Sequence, residues 1–261
     1  MKRLVFLFAL TFIVAQVVAQ GDLVATSGES LVSLITDINL SGANANYFNE
    51  RGLMFEQQKD YEKALFFYGK AADIAPGNTT FLFNKGITLQ NLDRHKEAVD
   101  VFQELVDIDN TDFEAFVALG TSLGRIGEYD MAVEAYDKAE RLRPSYKRIY
   151  YQRAMFKNLA GNYPSAEKDF NLAVKREPEY ANAYYNRGVN YKDMEKWKRA
   201  VRDLNKAIEL DPNHREAYMV RGVCYMNMDN ETEGAADLKK AAEMGDEEAK
   251  LLYDKYVKQG N

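Results

Sequence analysis

The sequence predicts an all-α chain: a solenoid of six tandem helix–turn–helix units closed by a C-terminal capping helix. Three observations predict it. Four of the five prolines, Pro76, Pro144, Pro178 and Pro212, lie 68, 34 and 34 residues apart, all multiples of 34. Small residues and large rings recur in phase with them. Inside each interval the apolar residues follow three- and four-residue spacing, as at Ala64, Tyr68 and Ala71, which is the period of a helix face. A fixed period in this range is the mark of stacked supersecondary units. The composition, 46% hydrophobic and 28% charged, is that of a globular protein.

Residues 1–19 read as an address rather than as part of the fold. Lys2 and Arg3 precede an apolar run from Leu4 to Ala15, and Val17 and Ala19 are small residues before a cut at Gln20. That is the layout of a secretory signal peptide. The run is too short for a membrane span of about 20 residues, and no cysteine follows it to carry a lipid. Loss of Lys2 and Arg3 takes the formal net charge from −6 to −8. Between residues 20 and 44, Leu31, Leu34, Ile35 and Ile38 follow a helical period behind Ser27 as a possible cap. A short helix covering the open end of the first unit is expected there; a tether or docking peptide is the alternative.

The six units run 45–78, 79–112, 113–146, 147–180, 181–214 and 215–248. Their eighth residues are Gly52, Gly86, Gly120, Ala154, Gly188 and Gly222, and their twentieth are Ala64, Ala98, Ala132, Ala166, Ala200 and Gly234. Small side chains in these columns let two helices approach. Tyr68, Phe102, Tyr136, Phe170, Leu204 and Leu238, four places after the second column, fill the space beside them. Turns are expected near Lys59-Asp60, Gly127-Glu128 and Gly161-Asn162. The periodic proline ends the second helix because its ring cannot continue the ladder, whereas Pro164 suits the start of one. No unit can bury its apolar face until neighbours stack on it.

This column pattern resembles the tetratricopeptide repeat family, and six units match in phase without insertion. The resemblance implies a right-handed superhelix whose concave side, lined by first helices, binds a peptide or partner protein. The departures are Asn110 for proline in the second unit, Ala154 for glycine and Lys157 for an aromatic residue (the place of Phe55, Tyr191 and Tyr225) in the fourth, and Gly234 for alanine and Asp246 for proline in the sixth. A last helix is expected over 247–258, with Ala249, Leu252, Tyr253 and Tyr256 on one face. Residues 249–261 would thus form a capping helix and tail with a polar outer side.

The fifth residues of the units, Asn49, Phe83, Val117, Tyr151, Tyr185 and Met219, are the candidate floor of that groove. Four residues later lie Leu53, Ile87, Thr121, Met155, Val189 and Val223, on the same helical face. Glu114, Arg125, Arg148, Lys192, Asp193 and Glu216 are expected to rim it. Aromatic residues and methionine are favoured at interfaces. The family's chaperone carboxylate clamp needs lysine in the fifth column with asparagine four residues on. Asn49 and Leu53 occupy those places first, and no later unit supplies the pair.

Other chemistry is not expected. There is no nucleophile elbow, phosphate loop or helical histidine pair, so no enzyme, cofactor or metal site is predicted. Trp197 and His95 share a column with Tyr61, Tyr129 and Tyr163, and His214 lies in a turn. Cys224, the one cysteine, reads as a small buried helix residue. A pI near 5.2 argues against nucleic acid. The expectation is an exported scaffold, periplasmic or secreted, that binds protein or peptide with no membrane span in the mature chain. An accessory subunit of an envelope, secretion or glycan-handling assembly is the alternative.

Overall fold

A computed structural model describes residues 45–258, and the expected leader (1–19) and lead-in (20–44) lie outside them. Among the described residues there are thirteen α-helices and no strand. They form six antiparallel pairs: α1 (Ala45–Gln57) with α2 (Tyr61–Ile74), α3 (Thr79–Asn91) with α4 (His95–Ile108), and α5 (Phe113–Arg125) with α6 (Tyr129–Leu142). Then come α7 (Arg148–Leu159) with α8 (Tyr163–Arg176), α9 (Ala181–Asp193) with α10 (Trp197–Leu210), and α11 (Arg215–Met226) with α12 (Glu231–Glu243). Each second helix also packs on the next first helix, and α13 (Glu247–Tyr253) packs on α12. Successive first helices touch one another as well (α3 with α5, α7 with α9, α9 with α11), which successive second helices do not to that degree. The first helices are therefore the inner layer of the stack.

Close approach within a pair follows from the small-residue column. A Cβ on Gly52 would lie 2.5 Å from the Tyr68 ring, and one on Gly86 would lie 2.5 Å from the Phe102 ring. Tyr68 and Phe102 are fully buried as a result. The Tyr68 hydroxyl donates to Glu56 at 2.6 Å; burial, reinforced by that carboxylate, pushes its pKa up.

Every turn inside a pair has the same closure. A residue with positive φ, at Lys59, Asp93, Gly127, Gly161, Glu195 and Asp229, reverses the chain. The next backbone N–H then donates back five residues, as from Asp60 to Phe55 at 2.9 Å and from Lys196 to Tyr191 at 2.8 Å. This is the Schellman arrangement. Four of the six left-handed residues are not glycine, so tertiary packing carries a backbone cost of about 1 kcal/mol at each.

Second helices end two residues before Pro76, Pro144, Pro178 and Pro212. Helix α4 ends at the same place beside Asn110. There Asp109 Oδ1 accepts from the Thr111 amide at 2.9 Å and its hydroxyl at 2.7 Å, a side-chain turn that does the work of proline. Those hydrogen bonds hold the Asp109 carboxyl below its ordinary pKa. Pro164 is the second residue of α8, as its missing N–H allows.

The fourth unit's departures have a physical account. Lys157 does not pack as a ring would; its Nζ meets Asp169 at 2.8 Å. The ring sits one residue earlier: Phe156 lies over Gly124 of the preceding unit and stacks on Tyr136 at 5.8 Å.

The C-terminal end departs from expectation. Helix α13 stops at Tyr253 and the chain continues as a π-helical turn, Asp254–Lys258. Ala249 is fully buried, and Leu252 and Tyr253 pack beside it. Tyr256, expected on the same face, is 51% exposed. The wider π turn rotates less per residue, which takes Tyr256 out of register with the apolar side.

Along the stack the core changes character. A large apolar cluster runs from Phe48 to Ala183, and from the fourth unit on smaller groups separate from it, Ala154 with Ala166 and Phe170 first and then two in the last two units. The breaks coincide with buried ion pairs that the sequence reading did not pick out. Arg153 holds Asp169 at 2.7 and 2.8 Å, Arg187 holds Asp203 at 2.6 and 2.8 Å, and Arg221 holds Asp237 at 2.7 Å through both contacts. Each arginine also reaches the preceding unit: Arg153 to Asp137 at 2.7 Å, Arg187 to Asn171 at 2.9 Å, Arg221 to Asn205 at 2.7 Å. Each lies over a tyrosine three residues earlier, Tyr150, Tyr184 or Tyr218. The first three units fill the aspartate place with Phe67, Val101 and Ala135, all buried.

Candidate protein-binding surface

The six fifth-place residues lie one on each first helix, from Asn49 on α1 to Met219 on α11, and all are half-buried. Because first helices form the inner layer, these side chains recur along one inner face. Two polar links join neighbours with the same geometry. Asn84 Nδ2 donates to Asn49 Oδ1 at 2.9 Å, and Asn186 Nδ2 donates to the Tyr151 hydroxyl at 3.1 Å. In both, the donor is 35 residues beyond the acceptor. The stripe is thus a seam between units as well as a surface, and both functions draw on the same side chains.

Rings on the seam are supported from behind. Phe83 meets Phe102 edge-on at 6.0 Å, and Tyr151 meets Phe170 at 6.5 Å. Phe83 also borders an open cavity of about 260 Å³ with Thr79, Thr80, Asp112 and Glu114. In the ninth column, Leu53 is exposed, whereas Ile87, Thr121, Met155, Val189 and Val223 are half-buried. Thr121 Oγ1 is engaged with the Val117 carbonyl at 2.9 Å and the Tyr136 hydroxyl at 2.8 Å. Burial pushes the Tyr136 pKa up to about 12.

Two residues missed by the sequence reading extend the aromatic part. Tyr180 packs edge-on against Tyr151 at 5.1 Å, and the His214 ring lies 4.5 Å from that of Tyr185. Tyr146, Tyr180 and His214 are the last residues of three successive units, so a final-place column of rings was the signal available. Burial, with Tyr180 next in importance, raises the Tyr151 pKa. Burial also raises that of Tyr185, with the Glu216 charge next in importance and acting the same way.

The rim charges are largely tied to partners. Glu114 pairs with Arg143 at 2.7 Å, Lys192 with Asp193 at 3.0 Å, and Glu216 with Arg215 at 2.9 Å. Arg148 lies 3.9 Å from Glu177, and Arg125 is exposed. A second open cavity of about 350 Å³, lined by Lys147, Arg176, Glu177, Pro178, Glu179 and Tyr180, sits at the following turn. Trp197 and His95 are half-buried packing residues in their column. Cys224 is fully buried, and burial pushes its thiol up to about 12. Among the described residues no three His, Cys, Asp or Glu side chains are grouped to hold a metal ion. No helix among them is long and apolar enough to cross a membrane.

Comparison with known proteins places this architecture. Tetratricopeptide repeat models match residues 45–78, 79–112, 117–174 and 181–214. Small glutamine-rich tetratricopeptide repeat-containing protein 2 of Mycosarcoma maydis is 31% identical over 103 residues, 40% of this chain and 29% of that protein. This chain spans less than a third of the length of the curated relatives it matches. A tetratricopeptide repeat protein from Parabacteroides merdae is similar in structure, with a TM-score of 0.65 at 24% identity over 95% of this chain and 98% of that one. YrrB, described as a TPR protein with an unusual peptide-binding site, superposes with a TM-score of 0.61 at 25% identity, covering 73% of this chain and 97% of its own. The chain belongs to the tetratricopeptide repeat family.

Proposed function

We propose that the protein is an exported, non-catalytic scaffold that captures a protein or peptide partner along its first-helix face. The observation that carries this reading is the half-exposed seam from Asn49 through Phe83, Val117, Tyr151 and Tyr185 to Met219. It offers apolar side chains on a rigid layer, so little ordering entropy opposes binding. The peptide-binding site ascribed to YrrB supports it by analogy. The signal-like first 19 residues support export, to a periplasm or to the cell exterior.

Affinity capture with the purified protein and with a Tyr151→Ala/Tyr185→Ala variant tests the groove. Partners retained by the wild type and lost by the folded variant are the expected result. Equal capture by both would refute it. Amino-terminal sequencing of the chain recovered from its host tests export: a start at Gln20 is expected, and an intact Met1 would refute cleavage. A second reading, an accessory subunit of a glycan-handling assembly, is favoured by the polar aromatic group of Tyr151, Tyr180, Tyr185 and His214 with Asn186. Calorimetric titration with cell-wall oligosaccharides separates the two, because a peptide groove gives no heat.

A further inference from the structure

The outer face of the second helices carries a charge pattern unrelated to the seam. At the twenty-second place of each unit stand Phe66, Asp100, Glu134, Lys168, Arg202 and Ala236, and all six are exposed. The two acids and two bases form no ion pair among the described residues, unlike Arg94 with Glu97 or Lys206 with Glu209 on the same helices. The chain as a whole is zoned in the same way. Units one to three hold 11 Lys and Arg against 18 Asp and Glu, units four and five hold 14 against 9, and unit six holds 4 against 9.

We infer that this face is an isologous interface between two copies of the chain. The column is its own complement when reversed: apolar, acid, acid, base, base, apolar. A two-fold axis parallel to the second helices, between α6 and α8, keeps each residue at its own level and exchanges unit three with unit four. Glu134 then faces Lys168 of the second copy, Asp100 faces Arg202, and Phe66 faces Ala236. Each contact occurs twice, as closed two-fold symmetry requires. Four places on, Glu104 faces Lys206 but Lys70 faces Lys240, and four places before, Lys96 faces Lys198. At the twenty-ninth place Arg141 meets Lys175 and Asp107 meets Glu209, so contact is confined to the turn that carries the column. A foreign acidic or basic surface would match only half of the column. A second copy matches all of it. Because the seam lies on the other layer, failure of this interface leaves the partner-capture reading standing, and the reverse.

Sedimentation velocity over a concentration series tests the interface at about 20 mM and about 500 mM NaCl, which brackets weak and strong screening. A monomer–dimer equilibrium at low salt, weakened at least about tenfold at high salt, is expected. Two charge-reversed variants fix the register: Asp100→Lys/Glu134→Lys, whose column becomes wholly basic, and Lys168→Glu/Arg202→Glu, whose column becomes wholly acidic. Each alone is expected to stay monomeric, and an equimolar mixture to form a heterodimer at least as tight as the wild type. Circular dichroism confirms that both fold. A wild type monomeric at every salt and concentration overturns the proposal. So does a dimer that either variant leaves intact, or a mixture that fails to associate.

Discussion

Replacing Asp203 by alanine puts the ion-pair ladder to its sharpest test. Asp203 is 4% exposed and accepts from Arg187 at 2.6 and 2.8 Å. Its removal leaves the guanidinium with Asn171 at 2.9 Å as its remaining hydrogen bond. Deleting one partner of a buried pair costs roughly 3–5 kcal/mol. The Arg187 side chain keeps 16% of its exposure, which allows some rehydration and favours the lower end, about 3 kcal/mol. For a chain of this size that is a fall in Tm of roughly 6–12 °C. The third unit shows how the place can be filled without charge: Leu119 and Ala135 occupy it, both buried. The double change Arg187→Leu/Asp203→Ala copies that solution and is expected to recover most of the loss, because apolar replacement of a buried pair is often close to neutral. Urea unfolding followed by circular dichroism measures both, and amide exchange should place the single variant's loss in α9 to α12. A single variant within about 1 kcal/mol of wild type, or a double no better than the single, would refute the reasoning.

Further expectations follow from individual contacts. Gly86→Ala gains up to about 1 kcal/mol of helix propensity but drives a Cβ to 2.5 Å from the Phe102 ring. Overpacking of about 1–3 kcal/mol should prevail, and a neutral or raised Tm would count against it. With its thiol pushed up to about 12 by burial, Cys224 should stay unreactive toward a disulfide reagent at pH 8 until the chain is unfolded in guanidinium; prompt labelling of native protein would contradict this. The hydrogen bond from Lys63 holds the Asp60 carboxyl below its ordinary pKa. A depressed folded value stabilises above the unfolded pKa and is lost as pH falls, so Asp60→Asn should flatten the acid limb of the stability profile. An unchanged limb would argue that other carboxylates set it.

The stack was legible because its determinants repeat. A small residue at one place and a large apolar one sixteen residues later say little alone, but six such pairs in phase specify two helices at close range. The turns were legible at Gly127 and Gly161 and less so at Glu195 and Asp229, where packing overrides the residue's own preference. The Arg–Asp pairs obeyed the same period and went unread, since a charged residue taken singly looks solvated. Only the alignment of Arg153, Arg187 and Arg221 with Asp169, Asp203 and Asp237 reveals that each column is internal. Tyr256 was misplaced for a different reason: its position depends on how many residues make the last turn, and apolar spacing assumes the α count. For the seam, the fifth column was visible, whereas its support by Tyr180 and His214 came from residues in loops, where helical spacing has no purchase.

The ladder also bears on how a chain of near-identical units finds its own order. Six helix pairs with common packing columns offer many wrong neighbours, since any first helix has the shape to dock on any second helix. The arginine hooks make the junctions unequal. Arg187 laid against Val101 or Ala135 would be buried beside apolar groups without a counter-charge, and Asp203 beside Leu119 would fare no better. Units four to six thus share a charged lock that the second helices of the first three units, with Phe67, Val101 and Ala135 in the aspartate place, cannot complete. A first helix carrying Arg153, Arg187 or Arg221 that docks on one of those second helices, in the same chain or in another, is disfavoured by electrostatics even where shape allows it.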